Sequence, residues 1–252
     1  MEQVNIDNPF NSAPVYHVGE TESTMKDAET LVEAGKPSGS LVFADYQTKG
    51  RGRIAGRIWE SGRCKNLLCT IIFKKGDFPF APSILPLLAG LGVAKTLERF
   101  YSLVPEIKWP NDILVDGEKI CGILCEAKKD TLFCGMGLNC NQLEFPGCLK
   151  GKAASIKSLT GRDVSLLEVL GNLLKGLKES FASEKWNREL NKRLYRREKN
   201  ILIKGNPNSG DRIKGTIKEV NQEGHLVFIP ENSNIPVSVL SGEIEYGVPG
   251  NL

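Results

Sequence analysis

Four short stretches hold the residues whose types and spacing could do chemistry. The first runs Tyr46-Gln-Thr-Lys-Gly-Arg-Gly-Arg-Ile-Ala-Gly-Arg-Ile-Trp59. Between Lys49 and Lys65 stand six basic residues (Lys49, Arg51, Arg53, Arg57, Arg63, Lys65) and a single acid, Glu60. Glycine lets a backbone come close to a ligand. Arginine offers a planar fork of donors to phosphate or carboxylate. Gly50, Gly52 and their arginines therefore suit a polyanion such as a nucleotide, although GxxxxGK[ST] is absent and the loop is not a Walker loop. A solvated surface loop would not require glycine alternating with arginine and ending in Trp59. An RNA-contacting loop is a second option, opposed by its shortness and by the chain's mild charge.

The second stretch is Ile107-Lys-Trp-Pro-Asn-Asp-Ile-Leu-Val115, with Asn111 and Asp112 between apolar flanks. Pro110 and Asn111 are turn formers. A bare turn would not require Lys108 and Trp109 as well, and Asp112 suits a metal or hydroxyl contact. The third is Lys119-Ile-Cys-Gly-Ile-Leu-Cys-Glu126. Strict alternation sets Lys119, Cys121, Ile123 and Cys125 on one face and Ile120, Gly122, Leu124 and Glu126 on the other. A mid-strand glycine marks a close approach by ligand or backbone; a lysine at a strand edge is ordinarily a snorkelling surface group. The fourth, Gly135-Met-Gly-Leu-Asn-Cys-Asn141, lacks the third glycine of a dinucleotide fingerprint. Asn139 there could read a base edge, or the segment could be a plain Gly/Asn loop.

The elements that must position these stretches follow from periodicity. Helices are predicted over Thr21–Ala34 and Pro82–Tyr101, and a long helical run over Ser165–Arg197 with leucines along one face. Strands are predicted over Ser40–Tyr46, Asn66–Phe73, Ile107–Val115, Lys119–Ala127 and Thr131–Leu138, the last three joined by hairpins, with Asp116-Gly117 as one turn. After Arg197 short strand patterns broken by Gly, Pro and Asn suggest a small β unit: Ile201–Ile203, Gly215–Val220, His225–Ile229, Pro236–Val239 and Glu243–Tyr246.

Composition bounds the rest. The 252 residues carry 40% hydrophobic and 25% charged side chains, an ordinary globular balance. Thirty-three basic against thirty acidic residues give +3, too little to indicate a nucleic-acid binder. The start has no signal-peptide pattern, and the most apolar segment, 84–94, falls well short of the roughly 20 residues that span a bilayer. Seven cysteines (64, 69, 121, 125, 134, 140, 148), odd in number, read as reduced thiols of a cytoplasmic protein. Cys121 and Cys125 form no CxxC pair, and His17 and His225 lie far off, so no zinc site is expected.

In order and spacing the motifs resemble the biotin protein ligases, the biotin–[acetyl-CoA-carboxylase] ligases, over about residues 23–245. The matching residues are Ser23-Thr24, Gln47 before Gly50-Arg51-Gly52-Arg53, Lys108-Trp109-Pro110-Asn111-Asp112, Lys119 to Gly122, Gly135-x-Gly137-x-Asn139 and Leu240-Ser-Gly-Glu-Ile244. The resemblance implies an α+β catalytic domain, residues 1–197, with a mixed sheet backed by helices as in class II synthetases, then an SH3-like β-barrel, residues 198–252. It implies ATP and biotin as substrates with Mg²⁺, a biotinyl-5′-AMP intermediate, and a lysine of a biotin carboxyl carrier protein as acceptor. Lys119 and Arg51 would be the catalytic pair. Ser23, Thr24, Gln47, Gly50, Arg51, Gly52, Arg53, Lys119 and Gly122 would hold biotin. Arg51, Arg53, Trp59, Asn111, Asp112, Lys119 and Asn139 would hold ATP, with Asp112 beside the metal.

Three departures stand out. Ile54-Ala55 add one residue before Gly56-Arg57; Met25 replaces the third residue of the family's Ser-Thr-Asn; and Gly247 stands where some members carry an arginine. Only 22 residues precede Ser23, too few for the winged helix of bifunctional members, so no DNA binding is expected. A sheet-edge homodimer is a further expectation from the family. The rival readings are a lipoate–protein ligase or octanoyltransferase, which shares the catalytic fold, and a non-enzymatic binding module with Lys192–Lys199 as an RNA-contacting run. A solvated helix end explains that run more simply.

Overall fold

The structure, a computed structural model, describes residues 1–204 and 212–245, and for Cys148 the backbone only. The expectations on Tyr246, Gly247 and the Cys148 thiol lie outside the described residues. The chain forms β1 (Glu2–Val4), β2 (Val15–Thr21), α1 (Thr24–Glu33), β3 (Leu41–Gln47), β4 (Asn66–Lys74) and α2 (Leu85–Tyr101). It continues with β5 (Pro105–Lys108), β6 (Asp112–Val115), β7 (Glu118–Lys128), β8 (Thr131–Asn139), α3 (Ile156–Thr160), α4 (Leu166–Phe181) and α5 (Trp186–Asn191). Five short strands end it: β9 (Asn200–Lys204), β10 (Arg212–Val220), β11 (Leu226–Pro230), β12 (Val237–Val239) and β13 (Glu243–Ile244).

The first eight strands make one sheet in the order β1-β2-β3-β4-β8-β7-β6-β5. Only β2 and β3 run parallel, so the sheet is mixed, as expected. The alternation of β4 sorts its side chains between two layers. Leu67, Cys69, Ile71 and Phe73 join the main core with α2 and α4, while Ile72 faces α1 with Met25, Ala28, Leu31 and Phe133. α2 is buried along most of its surface because α4 crosses it closely. A Cβ at Gly176 would stand 2.5 Å from the Gly92 carbonyl, so only glycine permits that approach. These layers fix α1, β3, β7 and β8, the elements that carry the candidate residues.

Sequence periodicity misplaced several boundaries. The run 107–115 is not one strand. Trp109-Pro110-Asn111 folds it back into the β5–β6 hairpin, and Pro110 has no donor with which to continue a ladder. The long helical run splits into α4 and α5, because Ala182 to Lys185 end the first helix. β1 and β2 were not anticipated. The C-terminal strands form a separate antiparallel sheet in the order β12-β11-β10-β9-β13. Its Ile201, Ile203, Ile217, Phe228 and Ile244 belong to the same apolar cluster as α2 and α4, so the core is continuous across the expected boundary. Among the described residues no helix is long and apolar enough to cross a membrane.

Candidate functional site

At one end of the site, Ser23 caps α1, its Oγ accepting from the Met25 amide at 3.3 Å. Thr24 donates to Gln47 Oε1 twice, from its amide at 2.8 Å and from its hydroxyl at 3.0 Å. The hydroxyl also meets Thr70 Oγ1 at 2.9 Å. The N-terminus of a ten-residue helix and the end of β3 thus gather polar groups where the helix dipole is positive.

The floor is made of glycine. Gly122 of β7 and Gly137 of β8 are register partners. The Trp59 indole lies on them: a Cβ at Gly137 would fall 2.5 Å from Trp59 Cε2, and one at Gly122 would fall 2.9 Å from Trp59 Cζ3. Beside the floor, Lys119 Nζ pairs with Asp112 Oδ1 at 2.7 Å and stands 5.7 Å from the Trp59 ring centre. Strict alternation set Lys119 and Gly122 on opposite faces, and the structure corrects this. Ile113 pairs with Cys121 but Leu114 pairs with Lys119, so Ile120 is the extra residue of a β-bulge. The bulge re-aims Lys119 onto the glycine face, where its Nζ lies 3.1 Å from a Cβ built at Gly122.

The Gly/Arg loop is a tight hairpin over this floor. Gly52 N donates to Arg57 O and Trp59 N to Gly50 O, while Arg57 N closes a turn on Ile54 O at 3.1 Å. The inserted residue is therefore absorbed at the hairpin tip, where Gly56 takes φ +81°. Gly50 stands at the base of the hairpin, where a Cβ would meet Trp59 O at 2.6 Å. Each arginine is held. Arg51 pairs with Glu126 at 2.9 Å, and Arg53 donates to Gly242 O at 2.8 Å. Arg57 grips Glu243 with both terminal nitrogens, at 2.7 and 2.8 Å. The C-terminal sheet thereby fastens the loop.

These groups surround one cavity of about 450 Å³, lined by every candidate residue except Gly50. Asn111 and Asn139 line it, yet their side-chain donors are committed to backbone: Asn111 Nδ2 to Ile123 O at 2.8 Å, Asn139 Nδ2 to Ala154 O at 3.0 Å. The sequence motifs include Lys108 and Glu243 without giving either a site role, and do not single out Lys152, although all three line the cavity. Lys108 carried a signal, a lysine inside an apolar stretch; for Lys152 we see none. Among the described residues no group of three or more His, Cys, Asp or Glu could hold a metal.

Lys108 is 1% exposed. Burial pulls its pKa from the usual 10.5 down to about 8, against the opposite pull of Asp112 and Glu243. Its charge in the fold is therefore lost as pH rises through about 8, while the unfolded chain stays protonated up to about 10.5. Over that window the unfolded state binds more protons, so this group makes folding more favourable as pH rises. The cavity meanwhile loses a positive charge. Binding of inorganic pyrophosphate, titrated from below to above pH 8, is expected to weaken along that limb, and Lys108→Met is expected to remove the limb. An unaltered limb in the variant would contradict the assignment.

Residues 18–141 match the model of the biotin/lipoate A/B protein ligase family. The bifunctional ligase/repressor BirA of Bacillus subtilis (strain 168) is 37% identical over 160 residues, 60% of this chain and 49% of that protein. The biotin--[acetyl-CoA-carboxylase] ligase of Mycobacterium tuberculosis is 34% identical over 130 residues, 50% of this chain and 48% of that protein. The chain spans about half the length of these curated relatives. Among solved structures, a biotin protein ligase from Aquifex aeolicus in complex with biotin and ATP superposes with a TM-score of 0.80 at 30% identity, covering 92% of this chain and 97% of the other. With that likeness running along nearly all of both chains, this chain belongs to the biotin protein ligase family.

Proposed function

We propose that the chain is an ATP-dependent biotin protein ligase. The observation that carries the reading is Lys119: a bulge aims it at a glycine floor, between a polar helix N-terminus and an arginine hairpin. Biotin's fused rings suit the space over Gly122 and Gly137, and the ureido group suits Ser23, Thr24 and Gln47. The carboxylate would then extend toward Lys119, and ATP would lie under the hairpin against Arg51, Arg53 and Trp59, with Asn111, Asp112 and Asn139 beyond. With Trp59 on the glycine floor, the reading requires the indole to leave it as biotin enters.

In the first step a biotin carboxylate oxygen attacks the α-phosphorus of ATP and pyrophosphate leaves. Two anions must be brought together, so fixed positive charge at the meeting point lowers the barrier. Lys119 serves both carboxylate and phosphate, and Arg51 takes up charge on the phosphate side. In the second step the amine of an acceptor lysine, in a biotin carboxyl carrier protein, attacks the anhydride carbonyl. AMP leaves, and the amine gives up a proton. The closed hairpin keeps water from the anhydride between the two steps.

Asp112, a buried carboxylate beside Lys119, fits one contact to Mg²⁺ and no more. Mg²⁺ prefers phosphate and water oxygens and needs few protein ligands. When bound it would neutralise triphosphate charge. The same reading takes residues 198–252 as an SH3-like barrel distinct from a catalytic unit of residues 1–197. It takes the cytoplasm as the compartment, which suits free thiols. It also takes β1 as the edge for a homodimer, since Ile107 of β5 at the other edge bridges to Leu194.

Incubation with biotin, ATP, Mg²⁺ and a carrier domain is expected to place biotin on one carrier lysine, seen as a mass increase lost when that lysine becomes arginine. An unmodified carrier, despite adenylate formation, would contradict the transfer half of the reading.

A further inference from the structure

Cys125 of β7 and Cys134 of β8 stand directly opposite each other. The hydrogen bonds at the neighbouring strands decide what kind of pair they form. Ile123 turns its main chain toward Asn111, donating to its carbonyl at 2.9 Å and accepting from its side chain at 2.8 Å. Alternation turns Cys125 the same way, away from β8. On the other strand, Ile72 of β4 bonds toward Gly39 and Ser40, so Ile71 turns toward β8 and its partner Cys134 turns toward β4. Cys125 and Cys134 are thus a non-hydrogen-bonded antiparallel pair. Such pairs bring the Cα atoms to about 4.5 Å with the side chains closest, inside the range a disulfide needs.

The facing Cys125 thiol, together with burial, pushes the Cys134 thiol well up from its usual range. Cys134 is fully buried, whereas Cys125 is partly open to solvent. No other described cysteine has this arrangement, since Cys69 faces Met136 and Cys121 faces Leu138. The adjoining pair, Leu124 and Gly135, points to the opposite face and lines the cavity. There a Cβ at Gly135 would already be 3.0 Å from Met25 Sδ.

We propose that Cys125 and Cys134 are an oxidant-closed dithiol, forming a reversible cross-strand disulfide beneath the cavity floor. With a peroxide as oxidant, the Cys125 sulfur takes one peroxide oxygen to give a sulfenic acid and a first water leaves. The Cys134 sulfur then attacks the Cys125 sulfur, and a second water leaves with the thiol proton. Two thiols and one peroxide give one disulfide and two waters. Closure changes the local strand twist under Leu124 and Gly135 and so reaches the cavity. That last step rests on the ligase reading; the crosslink does not.

In a chain carrying Cys64→Ser and Cys148→Ser, hydrogen peroxide is expected to yield one intramolecular crosslink, two hydrogens lighter, joining the tryptic peptides of Cys125 and Cys134. It should vanish in Cys125→Ser and in Cys134→Ser, persist in Cys121→Ser, and open with dithiothreitol. Free thiols at both positions after treatment, or Cys125 carried on to sulfinic acid without a crosslink, would overturn the proposal. The closed chain is further expected to release pyrophosphate with biotin several-fold more slowly than the reduced chain. Equal rates would overturn the reach to the cavity. A reduced chain inert toward biotin would count against the ligase reading, and the crosslink would still decide the dithiol.

Discussion

Lys119→Ala is expected to slow biotin-dependent pyrophosphate release by roughly a hundred- to a thousand-fold, the range for removing one preorganised charge or donor at a reacting centre. Lys119 Nζ pairs with Asp112 at 2.7 Å, and the bulge at Ile120 aims it onto the floor. The substitution leaves Asp112 without its partner in a mostly buried place, so some stability is lost as well. A thermal melt beside the rate measurement separates the two effects. A folded variant retaining near-normal release would remove Lys119 from the reaction. Lys119→Arg keeps the charge but changes its reach and shape, and is expected to recover only part of the rate.

Gly137→Val should be almost as severe, for a steric reason. The first carbon of the new side chain would fall 2.5 Å from Trp59 Cε2, and its branches would fill the floor. Overpacking of this kind costs roughly 1–3 kcal/mol, about a 5- to 150-fold loss in an equilibrium. The biotin rings would meet the same branches over the floor, so biotin affinity is expected to fall by that factor, with the Trp59 emission already shifted in the free protein. Trp186 is 3% exposed and does not line the cavity, so it reports little of this change. Unchanged affinity with unchanged emission would mean that the floor does not hold the ligand.

Much of the site was legible because its residues break local rules. Arginine alternating with glycine, a glycine inside an apolar strand and Asp112 between apolar flanks each cost something that a plain fold would avoid. What the sequence did not reveal came from non-local geometry. The bulge at Ile120 is invisible to a period-two reading, which therefore set Lys119 on the wrong face. Glu243 lies 186 residues from Arg57, so no spacing rule could pair them. The β5–β6 fold-back hides in a run whose apolar flanks read as one strand. α4 and α5 share a helical pattern that only the break at Ala182 to Lys185 divides. The five C-terminal strands were each foreseen to within a few residues, because turn residues punctuate them.

The most direct test of the central claim is pyrophosphate release from ATP with no acceptor present, run in parallel with biotin, lipoate and octanoate. The account predicts release with biotin alone, abolished by Lys119→Ala. Release with lipoate or octanoate in place of biotin would contradict the assignment of the glycine floor. Silence with all three, in a folded chain supplied with Mg²⁺, would contradict the adenylation step itself.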